Sequence, residues 1–193
     1  RILDTPGHAD FFAKTLDAMF MADVAVVVVD AGTPHIDEEH EGTFPDIVTT
    51  LLASPVRSII VAINKMDVVK WSRDRCLPLV KEIETFIRAR NKAIPVHYVP
   101  VAGLTGENIT RPAPSSKWAK TTLLTALLGE TPRARSIETP LRAIVDDAVR
   151  TNEQTVVATT LQSGVVAKND CVVVVPSNDV ATVVGVSGAD CAC

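Results

Sequence analysis

Three short apolar runs, each followed by a polar or glycine-containing turn, constrain the fold more than any other feature of this 193-residue sequence. They are residues 1–3 before Asp4, residues 58–63 before Asn64 and residues 96–101 before Ala102. In α/β sheets, ligands bind in the crevice beyond the carboxyl ends of the strands. The three turns therefore predict a ligand site at the carboxyl edge of a mostly parallel sheet.

The first turn carries the residue types that a phosphate and Mg²⁺ site needs. Asp4 can hold a hydrated Mg²⁺, because this hard cation keeps several of its waters. Gly7 lets its backbone N–H approach a phosphate closely, since it has no Cβ, and His8 follows where an attacking water would stand. Asp-x-x-Gly also occurs in ordinary turns between a strand and a helix, so this motif alone leaves both interpretations open.

The second turn has side chains that suit the recognition of guanine. The Asp67 carboxylate can accept hydrogen bonds from both N1–H and the exocyclic amino group, which adenine does not present as a pair. Asn64 can either bond the base or brace the loop, and the aliphatic stem of Lys65 can lie along the base plane.

The third turn, Ala102-Gly103-Leu104, offers backbone N–H groups that can reach the guanine oxygen. Three such turns in this order are far more specific than any one of them, and they resemble the third, fourth and fifth motifs of translational GTPases. The elongation factor 1-alpha group is the most similar. Within it, residues 103–108 and the pair Lys117-Trp118 resemble the eukaryotic ribosome-rescue and release-factor GTPases.

The resemblance implies an α/β fold of the P-loop NTPase type, with flanking helices around a mostly parallel sheet and part of a small antiparallel β-barrel behind it. It implies that GTP or GDP is bound by the second and third turns, with Ala102, Gly103 and Leu104 in the third. It further implies that Asp4 contacts Mg²⁺ through water, Gly7 senses the γ-phosphate and His8 positions the hydrolytic water. The implied partners are the ribosome and a release-factor-like or tRNA-like molecule in the cytoplasm, without membrane or direct DNA binding.

The sequence departs from the family in several places. No Gly-x-x-x-x-Gly-Lys-Ser/Thr motif occurs, so we expect this chain to be a piece of a longer protein that supplies the phosphate loop. Ala102 stands where the family usually has Ser, although a backbone contact to the base survives that change. Residues 43–47 replace a Gln-Thr-Arg-Glu-His-like run that normally helps to pack against a later domain.

Composition narrows the functional class. A formal charge of −4 and a pI near 5.6 argue against a broad basic surface that grips nucleic-acid phosphates. The four cysteines show no disulfide framework, which fits a reducing cytosol, and no apolar run is long enough to span a bilayer. The acidic and histidine-containing stretch 31–42 fits a solvated loop better than a metal site, because it lacks regular ligand spacing.

Hydrophobic periodicity gives the remaining elements. We predict strands over residues 1–4 and 23–30, the second buried on both faces, and a helix over 10–21 with Phe11, Leu16, Met19 and Phe20 in the core. Further helices are predicted over 45–53, 72–90 and 122–128, and short strands over 141–149, 155–161, 171–175 and 180–186. The predicted domains are a G domain over 1–129, a linker over 130–140 and a partial barrel over 141–193. Trp71 and Trp118 fit packing at the sheet edge better than ligand stacking.

The sequence leaves three functional hypotheses. The first is a GTP-binding and GTP-hydrolysing domain that acts in translation, in ribosome rescue or termination. The second is a non-hydrolysing interaction module derived from such a GTPase. The third is the GTPase subunit of sulfate adenylyltransferase, which shares the same three motif types.

Overall fold

A computed structural model describes residues 2–5, 12–32, 36, 44–131, 136–151 and 154–188. The chain divides into two compact units, residues 1–132 and residues 133–193. The elements of the first unit are α1 (Phe12–Met21), β1 (Val24–Asp30), α2 (Phe44–Ala53), β2 (Ser58–Asn64), α3 (Arg73–Arg90), β3 (Val96–Pro100) and α4 (Leu123–Gly129). Those of the second unit are β4 (Arg142–Arg150), β5 (Thr155–Ser163), β6 (Cys171–Val174) and β7 (Asp179–Thr182).

The first unit is built on a parallel sheet in the order β1-β2-β3. Successive side chains of a strand point to opposite faces of the sheet. Ile59, Val61 and Ile63 of β2 accordingly pack into a core that also contains buried side chains of α2 and α3, while Ile60 and Ala62 pack into a second core beside α4. Because helices cover both faces, β2 is a continuous apolar strand, as the sequence predicts.

The helices of the first unit confirm the predicted periodicity. α3 buries Cys76, Leu79, Ile83 and Ile87, which recur every three or four residues along one face. Pro78 lies inside this helix. α4 begins after Thr122, whose hydroxyl oxygen accepts a hydrogen bond from the backbone N–H of Thr125 at 3.0 Å and so caps the helix.

Glu130, which follows α4, fastens the helix to the amino edge of the sheet. One carboxylate oxygen accepts a hydrogen bond from the buried Ser58 hydroxyl at 2.6 Å, and the other lies 3.3 Å from Nε2 of His97. Ser58 and His97 lie at or near the starts of β2 and β3. This contact lies at the opposite edge of the sheet from the predicted site, and it fixes the end of α4.

Three predictions about the first thirty residues of the chain were wrong. Residues 2–5 are irregular rather than a strand, because an extended segment needs a partner for its backbone groups and none of the described strands pairs with it. β1 is an edge strand of the described sheet and not buried on both faces: Val26 is 40% and Val28 62% exposed. Phe20 of α1 is 52% exposed and not in the core, whereas Met19 is buried there.

The second unit contains two antiparallel strand pairs, β4–β5 and β6–β7. Their bounds lie within a few residues of the prediction. Asn169 and Asn178 lie between the predicted strands and adopt positive φ of 74° and 62°, a conformation that asparagine tolerates better than most residues. The turn residues in the sequence therefore mark where these strands end.

Two further observations concern the described residues as a whole. No helix among them is long and apolar enough to cross a membrane. Cys76 and Cys171 are free thiols, one buried and one exposed.

Candidate functional site

The carboxyl ends of β1, β2 and β3 bring together two of the three turns that the sequence singles out. Asp30 at the end of β1 is in register with Asn64 at the end of β2, and Ile63 is in register with Pro100 of β3. The turns that begin at Asn64 and Ala102 therefore leave the sheet side by side.

The Asn64 side chain joins these two turns. Its Oδ1 accepts a hydrogen bond from the backbone N–H of Lys65 at 2.8 Å and another from the backbone N–H of Gly103 at 2.8 Å. A Cβ on Gly103 would lie 3.2 Å from the same oxygen, so glycine permits this close approach. Of the two predicted roles of Asn64, the structure shows the bracing of the loop.

The turn after β2 is rigidly held. The backbone N–H of Met66 donates to Val101 O at 3.1 Å, and that of Trp71 donates to Met66 O at 2.7 Å. Trp71 is buried, and the indole N–H of Trp118 donates to its carbonyl at 3.0 Å. The preference for packing over ligand stacking is confirmed for this pair, which anchors the turn that carries Lys65 and Asp67.

Asp67 is half-buried at the outer end of this turn. Its backbone carbonyl accepts a hydrogen bond from Lys70 N at 3.0 Å, which helps to hold the turn. In the part of the chain that the structure describes, no donor hydrogen-bonds its carboxylate. Both carboxylate oxygens are therefore available to donors on a ligand.

The structure reduces the number of backbone N–H groups with which the third turn can bind a base. The N–H of Ala102 donates to Glu107 O at 3.0 Å, and that of Gly103 is taken by Asn64. Among the described residues, the N–H of Leu104 has no acceptor, and its side chain is 94% exposed. Of the three predicted backbone donors, Leu104 is thus the one left for a ligand.

The side-chain ammonium of Lys65 brings a positive charge to the site and forms an ion pair there. Its Nζ lies 2.6 Å from Oδ2 of Asp30, and the other oxygen of that carboxylate accepts the N–H of Gly32 at 2.8 Å. The hydrogen bond from Lys65, and then that from Gly32, hold the pKa of Asp30 below its usual value. The same contact with Asp30 raises the pKa of Lys65.

Of the residues predicted for the phosphate side of the site, the structure describes only Asp4. Asp4 is exposed within the irregular segment 2–5, and Gly7 and His8 lie outside the described residues. Among the residues described, no group of three or more His, Cys, Asp or Glu could hold a metal ion. An open depression of about 530 Å³ along α3 contains none of the predicted site residues; its lining comprises Ile36, Pro78, Lys81, Glu82, Thr85 and Phe86.

Asn108 supports the third turn in a way that the sequence analysis missed. Its buried Nδ2 donates to Pro100 O at 2.8 Å and to Thr121 O at 2.9 Å, which ties the end of β3 to the start of α4. Its φ of +61° belongs to the left-handed region, where asparagine is enriched. An Asn directly after Gly-Glu in a loop that follows a strand was the available signal.

We expect Asn108→Ala to lower the free energy of unfolding of the first unit by about 2–3 kcal/mol, because the Pro100 and Thr121 carbonyls lose their donor, the first of them buried, and Ala is strained at positive φ. Urea denaturation of the chain measures it. The matched control is Asn91→Ala, at a half-buried residue with φ −144° whose side chain accepts hydrogen bonds from Ala93 N and Ile94 N. The control should lose about 1 kcal/mol. An equal loss in the two variants would contradict the supporting role of Asn108.

The parallel sheet, the helices on both faces and the two linked turns beyond the strand ends define an α/β domain of the P-loop NTPase type. Comparison with known proteins narrows the class. The profile of the Elongation factor Tu GTP binding domain matches residues 1–148, and the chain belongs to this family of translational GTPases.

Relatives of the chain include elongation factors 1-alpha and Protein HBS1. It is 31% identical over 196 residues to elongation factor 1-alpha of Coccidioides immitis (strain RS), a match that covers 92% of this chain and 42% of that one. It is 33% identical over 190 residues to Protein HBS1 of Drosophila melanogaster, covering 94% of this chain and 28% of that one. The chain thus spans less than half of the length of these relatives.

Solved structures show the same fold. The GTP-bound Ski7 GTPase-like domain of S. cerevisiae superposes with a TM-score of 0.62 at 18% identity, over 87% of this chain and 41% of that one. Elongation factor SelB of Methanococcus maripaludis, in complex with the GTP analogue GPPNHP, gives a TM-score of 0.59 at 22% identity, over 92% of this chain and 36% of that one.

Proposed function

We propose that this chain contributes the guanine-reading part of a translation factor that binds GTP and GDP and hydrolyses GTP. The observation that carries the proposal is the Asn64 bridge, which joins the two turns beyond β2 and β3 while leaving the Asp67 carboxylate free. A site that is already braced loses less conformational freedom when a ligand binds.

The base-reading roles follow from the hydrogen-bonding groups. Asp67 accepts from N1–H and the amino group of guanine, and the free N–H of Leu104 donates to the guanine oxygen. Ala102 and Gly103 shape the turn that presents Leu104, and the methylene stem of Lys65 covers the base plane. Adenine lacks both the oxygen and the paired donors, so it leaves these groups without partners.

The phosphate side is assigned to Asp4, Gly7 and His8. Mg²⁺ is commonly held by one or two carboxylates together with phosphates and water. The exposed Asp4 carboxylate accepts no hydrogen bond within the described residues, so it fits such a site. Bound Mg²⁺ would neutralise charge on the phosphates. Gly7 contacts the γ-phosphate, and His8 orients the water for in-line attack and stabilises the charge that develops.

The proposed setting is ribosome rescue or termination in the cytoplasm, with a release-factor-like or tRNA-like partner. Residues 103–108 and the pair Lys117-Trp118, which resemble the ribosome-rescue and release-factor GTPases, support this step. The translation proteins among the relatives also favour this setting over sulfate adenylylation. We assign residues 1–129 to the G domain, 130–140 to a linker and 141–193 to part of a barrel domain.

GTP turnover tests this function in the extended protein, by which we mean the chain lengthened at its N-terminus with a phosphate-binding loop. We expect ribosomes to stimulate turnover by at least about 10-fold, because contact with the ribosome orders the groups around the γ-phosphate. Ribosomes with an empty or stop-codon A site should stimulate more than ribosomes that present a sense codon.

The outcomes separate the hypotheses. An extended protein that binds no GTP contradicts the proposal. One that binds GTP but never hydrolyses it, with or without ribosomes, would be the non-hydrolysing interaction module. Equal stimulation by sense-codon and stop-codon ribosomes would contradict the rescue or termination step while leaving GTP hydrolysis in place.

A further inference from the structure

The carboxylate of Asp30 is fixed on both of its oxygens. Oδ2 pairs with the Lys65 ammonium at 2.6 Å, and Oδ1 accepts the N–H of Gly32 at 2.8 Å. A Cβ on Gly32 would lie 3.2 Å from Oδ1, so a side chain at this position would crowd the carboxylate. The turn after β1 therefore aims Asp30 at Lys65.

Lys65 is correspondingly fixed at both of its ends. Its backbone N–H donates to Oδ1 of Asn64, and its φ of +62° is unusual for a residue with a side chain. The N–H of Ala31 donates to Asn64 O at 2.8 Å, which locks β1 beside the same turn. The methylene stem of Lys65 consequently runs from the turn after β2 toward the end of β1.

We propose that Asp30 is a positioning residue for guanine binding, which holds the Lys65 ammonium at β1 so that the stem stays along the base and the Asp67 carboxylate stays open. This inference rests on the proposed function. Lys65 and Asp67 are two residues apart, so a lysine released from Asp30 can turn to Asp67 and occupy the acceptor that guanine needs. A lysine held in advance also loses less rotamer freedom when the base binds.

The exposure of the Asp30–Lys65 pair indicates that its loss affects nucleotide affinity more than folding stability. The side chains of Lys65 and Asp30 are 59% and 36% exposed, and ion pairs in such surroundings contribute little to folding. Asn at position 30 can still accept the N–H of Gly32, so Asp30→Asn keeps the turn and removes only the charge. Its effect should appear in nucleotide affinity and hardly at all in stability.

We expect Asp30→Asn to raise the dissociation constant of the extended protein for a fluorescent GDP by about three- to tenfold. Asp30→Glu should recover part of the loss. Lys65→Met keeps an apolar stem without the ammonium, so in that background Asp30→Asn should change the dissociation constant by less than about twofold. The thermal unfolding midpoints of Asp30→Asn and the unsubstituted protein should agree within about 4 °C.

The pKa of Lys65, measured without nucleotide, gives a second test beside the GDP titrations. In the NMR spectrum of the side-chain ammonium, Asp30→Asn should lower the pKa of Lys65, since the contact with Asp30 is the largest cause of its elevation. An unchanged pKa would contradict the ion pair. If the unsubstituted extended protein does not bind GDP, the proposed function fails. If it binds GDP but Asp30→Asn leaves the affinity unchanged, or costs as much in the Lys65→Met background, this inference alone fails.

Discussion

Asp67→Asn is expected to reverse the base preference of the extended protein from GTP to XTP. Guanine presents N1–H and an amino group, two donors that a carboxylate answers together. Xanthine keeps N1–H but has a carbonyl in place of the amino group, and an Asn side chain offers one acceptor and one donor. A site built for buried hydrogen bonds rejects a mismatched partner by factors that can reach about 10⁴.

The matched control for this substitution is Asp74→Asn, which makes the same chemical change on the exposed first turn of α3. Its ratio of GTP to XTP affinity should equal that of the unsubstituted extended protein. A shift in both variants would indicate a general effect of lost negative charge rather than recognition of the base.

His8→Ala is expected to slow GTP hydrolysis on ribosomes by about 10²-fold or more while leaving nucleotide affinity nearly unchanged. The imidazole acts on the attacking water and on the charge of the transition state, and not on the bound ground state. Rapid-mixing measurements of phosphate release with the extended protein give the rate, and GTP titrations give the affinity.

The control for His8 is His97→Ala. His97 lies on β3, where it contacts Glu130 at the edge of the sheet opposite the nucleotide turns. Its replacement should leave the hydrolysis rate within about twofold of the unsubstituted value. Equal rates for His8→Ala and the unsubstituted protein would remove His8 from the mechanism.

The elements that the sequence predicted best are those whose burial is set by local pattern. β2 is an unbroken apolar run because helices cover both faces of the sheet around it, and α3 has a buried residue every three or four positions. Turn residues also specify their own conformation, as Asn169 and Asn178 show at positive φ.

The predictions that failed depend on neighbours that local pattern does not specify. Residues 2–5 have strand-like composition, yet a strand needs a partner for its backbone groups. The valines of β1 are typical of a buried strand, but their exposure depends on which element covers that face. Phe20 fits a helical apolar stripe and nevertheless faces away from the core.

In the candidate site, too, some features follow from local sequence and others depend on residues that are distant in the chain. Asn64, Lys65 and Asp67 could be proposed from the sequence because the residue types and spacing of a base-reading turn lie together in it. The ion pair between Asp30 and Lys65 joins residues 35 positions apart, and only the parallel register of β1 with β2 places them together. Likewise, the loss of the Gly103 N–H to Asn64 follows from the register of two strands, so the restriction to Leu104 emerged from the structure.

The central claim is that the turns beyond β2 and β3 read guanine through Asp67, and a competition between GTP and XTP tests it most directly. A fluorescent nucleotide is bound to the extended protein and displaced by unlabelled GTP or XTP. The fluorescent nucleotide is GTP for the unsubstituted and Asp74→Asn forms and XTP for Asp67→Asn. We predict that GTP is the stronger competitor for the unsubstituted and Asp74→Asn forms. With Asp67→Asn, which is loaded with fluorescent XTP, XTP should be the stronger competitor. A continued preference of Asp67→Asn for GTP would show that this carboxylate only supports the loop, and would contradict the assignment of the site.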